Sequence, residues 1–326
     1  MSNEKGKVRP SPVVSVSMIA YNAEAYVADA LESVLRQKTD FPFEMVVGED
    51  CSKDITRSIC DAYAAKYPGV IRLLPSEKNL GITCNAARTL KECRGKYIGI
   101  CDGDDLWSDP LKLQKQVAFL EKNPGHGLVY TDINLIDEHG QPILDDPHLE
   151  LRKSYASGEV FFKLLRTNFI NISTVLFRRQ FLEGYEIDTD RSSIYDYPLW
   201  LHICMQSKAG YLNIKSSSYR KHRGGTTSSP DDLRRYRKRF QYNLFDTLLA
   251  FDKSNTSHIN SDDRAFLFRK LLSLAARNYG TLKMRMQILP LLPKYFPGFP
   301  QLLDILILKS KQRLPLFTPQ SFVSQH

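Results

Sequence analysis

The chain has 326 residues and a mass of 37.4 kDa. Hydrophobic residues make up 42% and charged residues 25%, a composition that excludes a disordered chain. The mean hydropathy of −0.33 argues against a polytopic membrane protein. The net charge is +9, but nine of the 45 Lys and Arg residues lie between Lys215 and Phe240, so the bulk of the chain is not a basic nucleic-acid surface.

The first 140 residues alternate between short apolar runs and helical stripes. Runs rich in β-branched residues predict strands, and apolar residues spaced three or four apart predict helices. The predicted strands cover residues 13–19, 43–47, 70–74, 97–101 and 128–136, and the predicted helices cover 23–37, 54–67, 85–93 and 111–122. This alternation predicts an α/β fold with a mainly parallel sheet sandwiched by helices.

The periodicity weakens after Gly140. Helices are predicted at residues 158–166 and 197–206, and short strands at 173–177 and 210–214. Beyond residue 230 the pattern becomes helical, with helices predicted at residues 233–251 and 262–278. We therefore expect a flexible N-terminus over residues 1–11, an α/β domain over 12–228 and a helical C-terminal region over 229–326.

Cysteine spacing and the N-terminus bear on the compartment. None of the six cysteines forms a CxxC pair, so we expect buried free thiols in a reducing environment rather than a zinc or redox site. The polar first twelve residues lack the apolar core of a signal peptide, and no apolar stretch is long enough to span a bilayer. The prediction is a cytoplasmic protein.

Acidic residues follow two of the predicted strands. Ligands of open α/β sheets bind at the carboxyl ends of the strands. Residues 20–23 after the first strand are not a GxGxxG motif, and no P-loop motif occurs in the chain. Residues 48–54 follow the second strand, and the acidic turn, residues 102–105, follows the fourth. We therefore expect both acidic segments at one edge of the sheet.

The acidic turn has the sequence Asp102-Gly103-Asp104-Asp105. Three carboxylates within four residues repel each other unless positive charge neutralises them, and Mg²⁺ or Mn²⁺ binds one or two carboxylates together with phosphate oxygens. The turn therefore predicts a site for a metal and a diphosphate. A solvated acidic turn is the alternative, and helix capping is the alternative for residues 48–54.

Five short motifs occur in a fixed order: VSVSMIAYN (residues 14–22), GEDCSKD (48–54), EKNLG (77–81), RGKYI (94–98) and DGDDLW (102–107). In this order they resemble the family-2 inverting glycosyltransferases, and the similarity extends over residues 12–222. The resemblance implies a GT-A fold for the catalytic domain at residues 12–228. It also implies sugar transfer from a nucleotide-diphosphate donor, with UDP as the default nucleotide.

The resemblance implies a nucleotide pocket at the first two strand ends. Tyr21 and Asn22 would line it beside Glu49 and Asp50, and one of these acids would accept a hydrogen bond from the base. Many members have Asp at position 49 and Gly at position 51, where this chain has Glu49 and Cys51.

The resemblance also implies a diphosphate site. Asp102 would face the ribose or the sugar, and Asp104 would bind Mg²⁺ or Mn²⁺. His222 resembles a late basic element of the family near the diphosphate and would join Asp104 at the metal. Lys221 and Arg223 would add positive charge there. An exposed polar residue is the alternative for His222.

Asp196 matches the acidic position that serves as catalytic base in this family. Many members have Glu-Asp where this chain has Tyr195-Asp196. A carboxylate that accepts the acceptor's proton is the only protein base that an inverting transfer needs, and a helix N-cap is the alternative role. Trp200 is expected in the core, Trp107 either in the core or against a sugar. Hydrogen bonds to the donor sugar or a strand-edge turn are expected for Asn171, Ser173 and Thr174.

Two further segments have predicted roles. The Gly-rich residues 224–229 are expected to order over bound donor. A basic cluster at residues 234–239 and an apolar and basic segment at 302–313 predict peripheral contact with the anionic inner face of the cell membrane, with a solvated helix face as the alternative. The expected acceptor is a saccharide or a lipid-linked hydroxyl, and nucleic acid is not an expected partner.

Three other functions agree less well with the sequence than glycosyl transfer does. A sugar-nucleotide pyrophosphorylase would carry a Gly-rich first loop, which residues 20–23 lack. RNA binding through the basic segment has no recognisable domain signature to support it. A protein that binds sugar nucleotides without catalysis is disfavoured by the presence of Asp102, Asp104 and Asp196.

Overall fold

The computed structural model describes residues 11–146, 148–187, 189, 195–225, 245, 248–249, 261–276 and 286–287. Contacts between Cα atoms divide the chain into two compact units, Met1–Phe240 and Gln241–His326. Every predicted site residue lies in the first unit, which holds all the strands found in the described residues.

The strands of the first unit form one eight-stranded sheet. Their bounds are β1 (Val14–Ala20), β2 (Phe43–Glu49), β3 (Ile71–Leu73), β4 (Tyr97–Ile100), β5 (Leu106–Trp107), β6 (His126–Ile136), β7 (Leu176–Arg178) and β8 (Lys208–Arg220). The strand order across the sheet is β3-β2-β1-β4-β7-β6-β8-β5.

Helices connect most of these strands. Their bounds are α1 (Val27–Leu35), α2 (Thr56–Lys66), α3 (Ile82–Lys91), α4 (Lys112–Lys122), α5 (Leu149–Arg152), α6 (Phe161–Arg166) and α7 (Asp196–Gln206), with α8 (Ser261–Ala276) in the second unit. Short 3₁₀ helices span Ile172–Thr174 and Arg179–Leu182.

Strand direction determines which loops meet. β1 is parallel to β2 and β4, whereas β7 is antiparallel to both of its neighbours, β4 and β6. β6 therefore runs in the same direction as β1, and β8 is parallel to β6. The carboxyl ends of β1, β2, β4, β6 and β8 consequently lie along one edge of the sheet, which we call the carboxyl edge.

In the first unit, the core lies on both faces of the central strands. All seven residues of β1 are buried, which requires packing on both faces of the sheet. Helix α1 buries Val27, Ala30, Leu31 and Val34, which lie three and four residues apart on one face. The α/β class predicted from the sequence is confirmed; the sheet is mixed, with four parallel and three antiparallel pairings among the described strands.

The second half of the first unit differs from the prediction. The predicted strand at residues 210–214 extends over all thirteen residues of β8, because hydrogen bonds to β6 and β5 stabilise its polar Ser-rich end. The predicted strand at 173–177 begins as the 3₁₀ helix Ile172–Thr174, and only its end belongs to β7. β5 is two residues long and was not predicted.

The second unit is described in part. Helix α8 corresponds to the helix predicted at residues 262–278, and it buries Leu267, Phe268, Leu271 and Leu274. Most of the helix predicted at 233–251, the basic cluster at 234–239 and the segment at 302–313 lie outside the described residues. In the part of the chain that the structure describes, no helix has the length and apolar character needed to cross a membrane. All six cysteines are free; four are buried, Cys84 is partly buried and Cys51 is exposed.

A lysine of α4 is buried in the core of the first unit. The Lys112 side chain is fully buried, and its Nζ donates to Gln116 Oε1 at 2.7 Å and to the Thr174 carbonyl at 3.3 Å. Nζ also lies 4.4 Å from the centre of the Trp107 ring. Burial lowers the pKa of Lys112 from its usual value of 10.5 to about 7.

The buried amine predicts a pH dependence of stability. The folded chain releases the Lys112 proton near pH 7 while the unfolded chain keeps it up to about pH 10.5, so the unfolded state binds more protons in between and this contribution to stability rises with pH. We expect the free energy of unfolding of the wild type, relative to Lys112→Met, to rise between pH 6.5 and 8.5 by up to about 1.4 kcal/mol per pH unit.

Urea unfolding across this pH range measures the difference. Lys115→Met, on the exposed side of the same helix, is the matched control and should leave the pH dependence of the wild type unchanged. Parallel curves for the wild type and Lys112→Met would show that Lys112 does not titrate in the folded protein.

Candidate active site

The loops after β1 and β2 are joined by reciprocal hydrogen bonds. The Asn22 amide donates to Ser52 Oγ at 2.9 Å, and the Lys53 amide donates to Asn22 Oδ1 at 2.9 Å. Asn22 has a φ of 49°, a conformation that asparagine tolerates better than most residues. Tyr21 precedes it and is exposed. Two of the predicted nucleotide-site residues are thus exposed side by side at the carboxyl edge.

Glu49 lies beneath these loops and is fully buried. Its Oε1 accepts from the Ser52 amide at 2.7 Å and its Oε2 from the Cys51 amide at 3.2 Å. The Arg57 guanidinium lies 3.8 Å from the same Oε2. The Glu49 carboxylate therefore stabilises the conformation of the loop after β2.

Asp50 is also buried and binds a different loop. Its Oδ1 accepts from the Leu80 amide at 2.9 Å and its Oδ2 from the Gly81 amide at 2.8 Å. Gly81 has a φ of 83°, which favours glycine, and directly precedes α3. Both carboxylate oxygens of Asp50 thus bind backbone amides and hold the loop before α3 against the end of β2.

The acidic turn approaches the end of β1 closely. The Gly103 amide donates to the Ile19 carbonyl at 2.9 Å. A Cβ atom at position 103 would lie 2.9 Å from the Ala20 side chain, so only glycine fits there without a shift. This contact brings Asp102 and Asp104 next to the loop that carries Tyr21 and Asn22.

The three carboxylates of the acidic turn have different surroundings. Asp105 is buried, and its Oδ1 accepts from the Arg220 amide at 3.2 Å. Burial and the neighbouring Asp104 and Asp102 raise the pKa of Asp105. Asp104 has a side chain that is 38% exposed, and its Oδ2 lies 3.1 Å from His222 Nε2.

His222 comes from the other end of the unit. It follows β8 by two residues, and the parallel direction of β6 and β8 brings it to the carboxyl edge. Its neighbours Lys221 and Arg223 are exposed. Of the predicted flexible segment, Gly224 and Gly225 are described and residues 226–229 lie outside the described residues.

Asp102 connects the acidic turn to α7. The Tyr195 hydroxyl donates to Asp102 Oδ1 at 3.4 Å, and Asp196 is the first residue of α7. Burial, then Asp104 and Asp196, raise the pKa of Asp102 well above its usual value. Burial also raises the pKa of Asp196. The charges of Asp102, Asp104 and Asp196 therefore act on one another within a single site.

Comparison with known proteins identifies the family of this chain. A family model described as Glycosyl transferase family 2 matches residues 15–185, more than half of the chain. The chain belongs to glycosyl transferase family 2. The matched region contains the loops after β1 and β2 and the acidic turn.

Relatives of this chain occur in several bacteria. An uncharacterized protein of Mycobacterium tuberculosis is 32% identical over 212 residues, which cover 65% of this chain and 60% of that protein's length. The putative glycosyltransferase EpsE of Bacillus subtilis is 28% identical over 270 residues, which cover 80% of this chain and 88% of EpsE. This chain thus spans about 60% of the length of the mycobacterial relatives.

Solved structures share the fold. S. aureus TarS in complex with UDP-GlcNAc aligns with a TM-score of 0.57 and 19% identity, covering 90% of this chain and 83% of that one. Mannosyltransferase PcManGT from Pyrobaculum calidifontis, in complex with GDP-Man and Mn²⁺, aligns with a TM-score of 0.57 and 20% identity, covering 94% and 88%. These similarities establish a GT-A fold for this chain.

The donor set at the acidic turn suits a hard cation. Among the described residues, no cluster of three or more His, Cys, Asp or Glu side chains could hold a metal ion. Asp104 and His222 offer one carboxylate and one imidazole, and Mg²⁺ or Mn²⁺ completes such a partial set with water and substrate phosphates. Oxygen suits these ions better than imidazole nitrogen, so Asp104 has the more suitable donor atoms of the two.

The two tryptophans and the residues considered for sugar binding lie in or beside the core. Trp200 is fully buried, and Trp107 is buried with its Nε1 donating to the Ser173 carbonyl at 3.0 Å. Ser173 and Thr174 are buried in the 3₁₀ turn, and Asn171 Oδ1 accepts from the Ser173 amide at 3.0 Å. This group forms the turn before β7, which was the alternative to sugar binding.

Two residues at the site had no role assigned from the sequence. Tyr195 was noted only as a departure from the family pattern, and its hydroxyl contacts Asp102. Arg220 was not singled out from the sequence, and it contacts the acidic turn. Position beside a predicted site residue was the only signal that the sequence offered for either.

The buried acid after β2 gives a testable prediction. Asp50→Asn replaces one acceptor oxygen with an NH₂ group that faces a backbone amide, so we expect a loss of about 1–3 kcal/mol in the free energy of unfolding. Urea denaturation measures it. Asp61→Asn, at an exposed position on α2, is the control with the same change of charge and should stay within about 0.5 kcal/mol of the wild type. Equal stabilities of the two variants would contradict the anchoring role.

Proposed function

We propose that this chain is a metal-dependent inverting glycosyltransferase that moves a sugar from a nucleotide-diphosphate donor to a hydroxyl of a saccharide or lipid-linked acceptor. The proposal is supported by the contact of the partly exposed Asp104 with His222 and by the contact of Asp102 with Tyr195, the residue before Asp196. The charge of Asp196 also acts on Asp102. Membership of glycosyl transferase family 2 supports the reaction class.

The nucleotide would bind at the loops after β1 and β2. Tyr21 and Asn22 are exposed there, whereas Glu49 and Asp50 are buried beneath them and bind backbone amides. Fixed loops of this kind bind a ligand without a large ordering cost. TarS was solved with UDP-GlcNAc and PcManGT with GDP-Man, so UDP-sugars and GDP-sugars are the donors to test first.

The diphosphate would face Asp104, His222, Lys221 and Arg223. A divalent cation held by Asp104, with His222 beside it, would supply positive charge against the charge that develops on the departing nucleotide diphosphate. Lys221 and Arg223 are exposed at the same edge and add positive charge there. No protein nucleophile is required.

Asp196 would take the proton of the attacking hydroxyl. Its raised pKa makes the carboxylate a stronger base than an exposed Asp, and general base catalysis contributes about 10²- to 10⁴-fold in rate. Asp102 would contact the ribose or the sugar, since it lies between Asp104 and Tyr195.

The domain limits and the location remain part of this proposal. Residues 12–228 would form the catalytic domain, and residues 229–326 a helical region on the inner face of the cell membrane. The basic cluster at 234–239 supports membrane contact through its charge. The putative teichuronic acid biosynthesis glycosyltransferase TuaG of Bacillus subtilis is 28% identical over 210 residues, and its name supports an acceptor in surface polysaccharide synthesis.

The metal site is tested with Asp104→Asn. We expect the wild type to bind UDP or GDP more tightly when Mn²⁺ is present, and the variant to lose at least about 10-fold of that gain because it lacks the charged oxygen ligand. Isothermal titration calorimetry with and without Mn²⁺ measures the gain. The control is Asp61→Asn, with an exposed carboxylate on α2. An unchanged metal dependence in Asp104→Asn would remove Asp104 from the metal site.

The base is tested with Asp196→Asn. The variant should keep donor affinity and lose about 10²- to 10⁴-fold in kcat, because the amide cannot accept the proton of the incoming hydroxyl. Release of nucleotide from UDP-GlcNAc and GDP-mannose in the presence of candidate acceptors measures turnover. Full turnover in Asp196→Asn would overturn the base assignment, and a wild type that binds donors without turnover would favour a binding protein.

A further inference from the structure

Arg220, the last residue of β8, is charged and yet its side chain is only 3% exposed. Its Nε donates to the Asp104 carbonyl at 3.1 Å, and its Nη1 donates to the Glu138 carbonyl at 3.3 Å. Its Nη2 lies 3.6 Å from Asp29 Oδ2. One guanidinium therefore joins the acidic turn, the turn after β6 and helix α1.

The end of β8 contacts the acidic turn at three points. The Arg220 amide donates to Asp105 Oδ1, and the Arg220 side chain binds the Asp104 carbonyl. Two residues later, His222 Nε2 lies 3.1 Å from Asp104 Oδ2. Arg220 thus holds the main chain of the acidic turn in place. His222 contacts the partly exposed Asp104 carboxylate, which that main chain carries.

The Tyr26 ring connects Arg220 with His222. The Arg220 Cζ lies 4.8 Å from the centre of the Tyr26 ring, within the range of a cation–π interaction. The centre of the His222 ring lies 4.8 Å from the centre of the same ring, with an angle of 56° between the two planes. A movement of the Arg220 guanidinium would therefore displace the Tyr26 ring, and with it the His222 imidazole that contacts this ring.

We propose that Arg220 is a positioning residue that holds Asp104 and, through Tyr26, His222 in the arrangement that binds a divalent cation together with a nucleotide diphosphate. The inference rests on the function proposed above, because it concerns the same cation site. Arginine is required for this role because its planar fork directs several donors at fixed angles, whereas the lysine ammonium is a compact point charge on a flexible stem.

Charge and geometry can be separated at this position. Arg220→Lys keeps one positive charge beside the carboxylates of the acidic turn but cannot bind Asp104, Glu138 and Asp29 at once. The main chain that carries the Asp104 carboxylate is then no longer held in one position, so we expect Mn²⁺ to bind at least about 10-fold more weakly in this variant.

The experiment measures Mn²⁺ binding by electron paramagnetic resonance, with UDP and with GDP present, on the full chain. Arg36→Lys is the matched control: Arg36 directly follows α1, is 69% exposed and pairs with Glu32. We expect it to bind Mn²⁺ as the wild type does. Thermal unfolding of each variant is recorded under the same conditions, and the expected loss of affinity in Arg220→Lys occurs with the protein folded.

A second pair of variants addresses the coupling at a half-buried position. Tyr26→Leu removes the aromatic ring between Arg220 and His222, so Mn²⁺ affinity should fall by about 3-fold. Tyr26→Phe keeps the ring and should restore the wild-type affinity. If Arg220→Lys does not fold at the assay temperature, this pair decides the question.

The outcomes separate the two proposals. If the wild type binds Mn²⁺ with nucleotide, and Asp104→Asn does not, but Arg220→Lys and Tyr26→Leu bind as the wild type does, then Arg220 has no positioning role and the proposed function stands. If Tyr26→Phe binds as weakly as Tyr26→Leu, the ring contact is not the coupling and the inference is overturned. If the wild type shows no nucleotide-dependent Mn²⁺ binding, both proposals fail.

Discussion

Electrostatic repulsion within the acidic turn is the constraint on which the rest of the site depends. Asp102, Asp104 and Asp105 occupy three of four consecutive positions, and Gly103 occupies the fourth. The fold gives each carboxylate a different partner: Asp105 accepts from the Arg220 main chain, Asp102 from the Tyr195 hydroxyl, and Asp104 faces His222 at the surface. One carboxylate therefore remains available to a cation while the other two stabilise the turn.

Backbone amides hold the neighbouring loops in a comparable way. The buried carboxylates of Glu49 and Asp50 accept four amide hydrogen bonds, two from the loop after β2 and two from the loop before α3. Hydrogen bonds from amides to a carboxylate are stronger than hydrogen bonds between two neutral groups. The side chains that remain exposed at these loops, Tyr21 and Asn22, are thereby presented on a fixed base.

The first half of the first unit was predictable because local sequence patterns there agree with the tertiary structure. Strands β1, β2 and β4 are short apolar runs, and α1 repeats apolar residues on one face, so sequence periodicity and tertiary burial coincide. Prediction failed where long-range pairing determines structure. β8 continues through a polar Ser-rich segment because β6 and β5 flank it, and β5 exists only as a partner of β8.

The sequence alone determined the α/β class, the family resemblance and the identity of the acidic turn, because motifs and periodicity are local properties of the chain. Only the tertiary structure decided which residues share a site with that turn. Asp104 and His222 are 118 positions apart, and they meet because β7 is antiparallel to both β4 and β6, which places the end of β8 at the same edge as the end of β4. The contacts of Arg220 and Tyr195 have the same origin, since no periodicity in the chain encodes the direction of a distant strand.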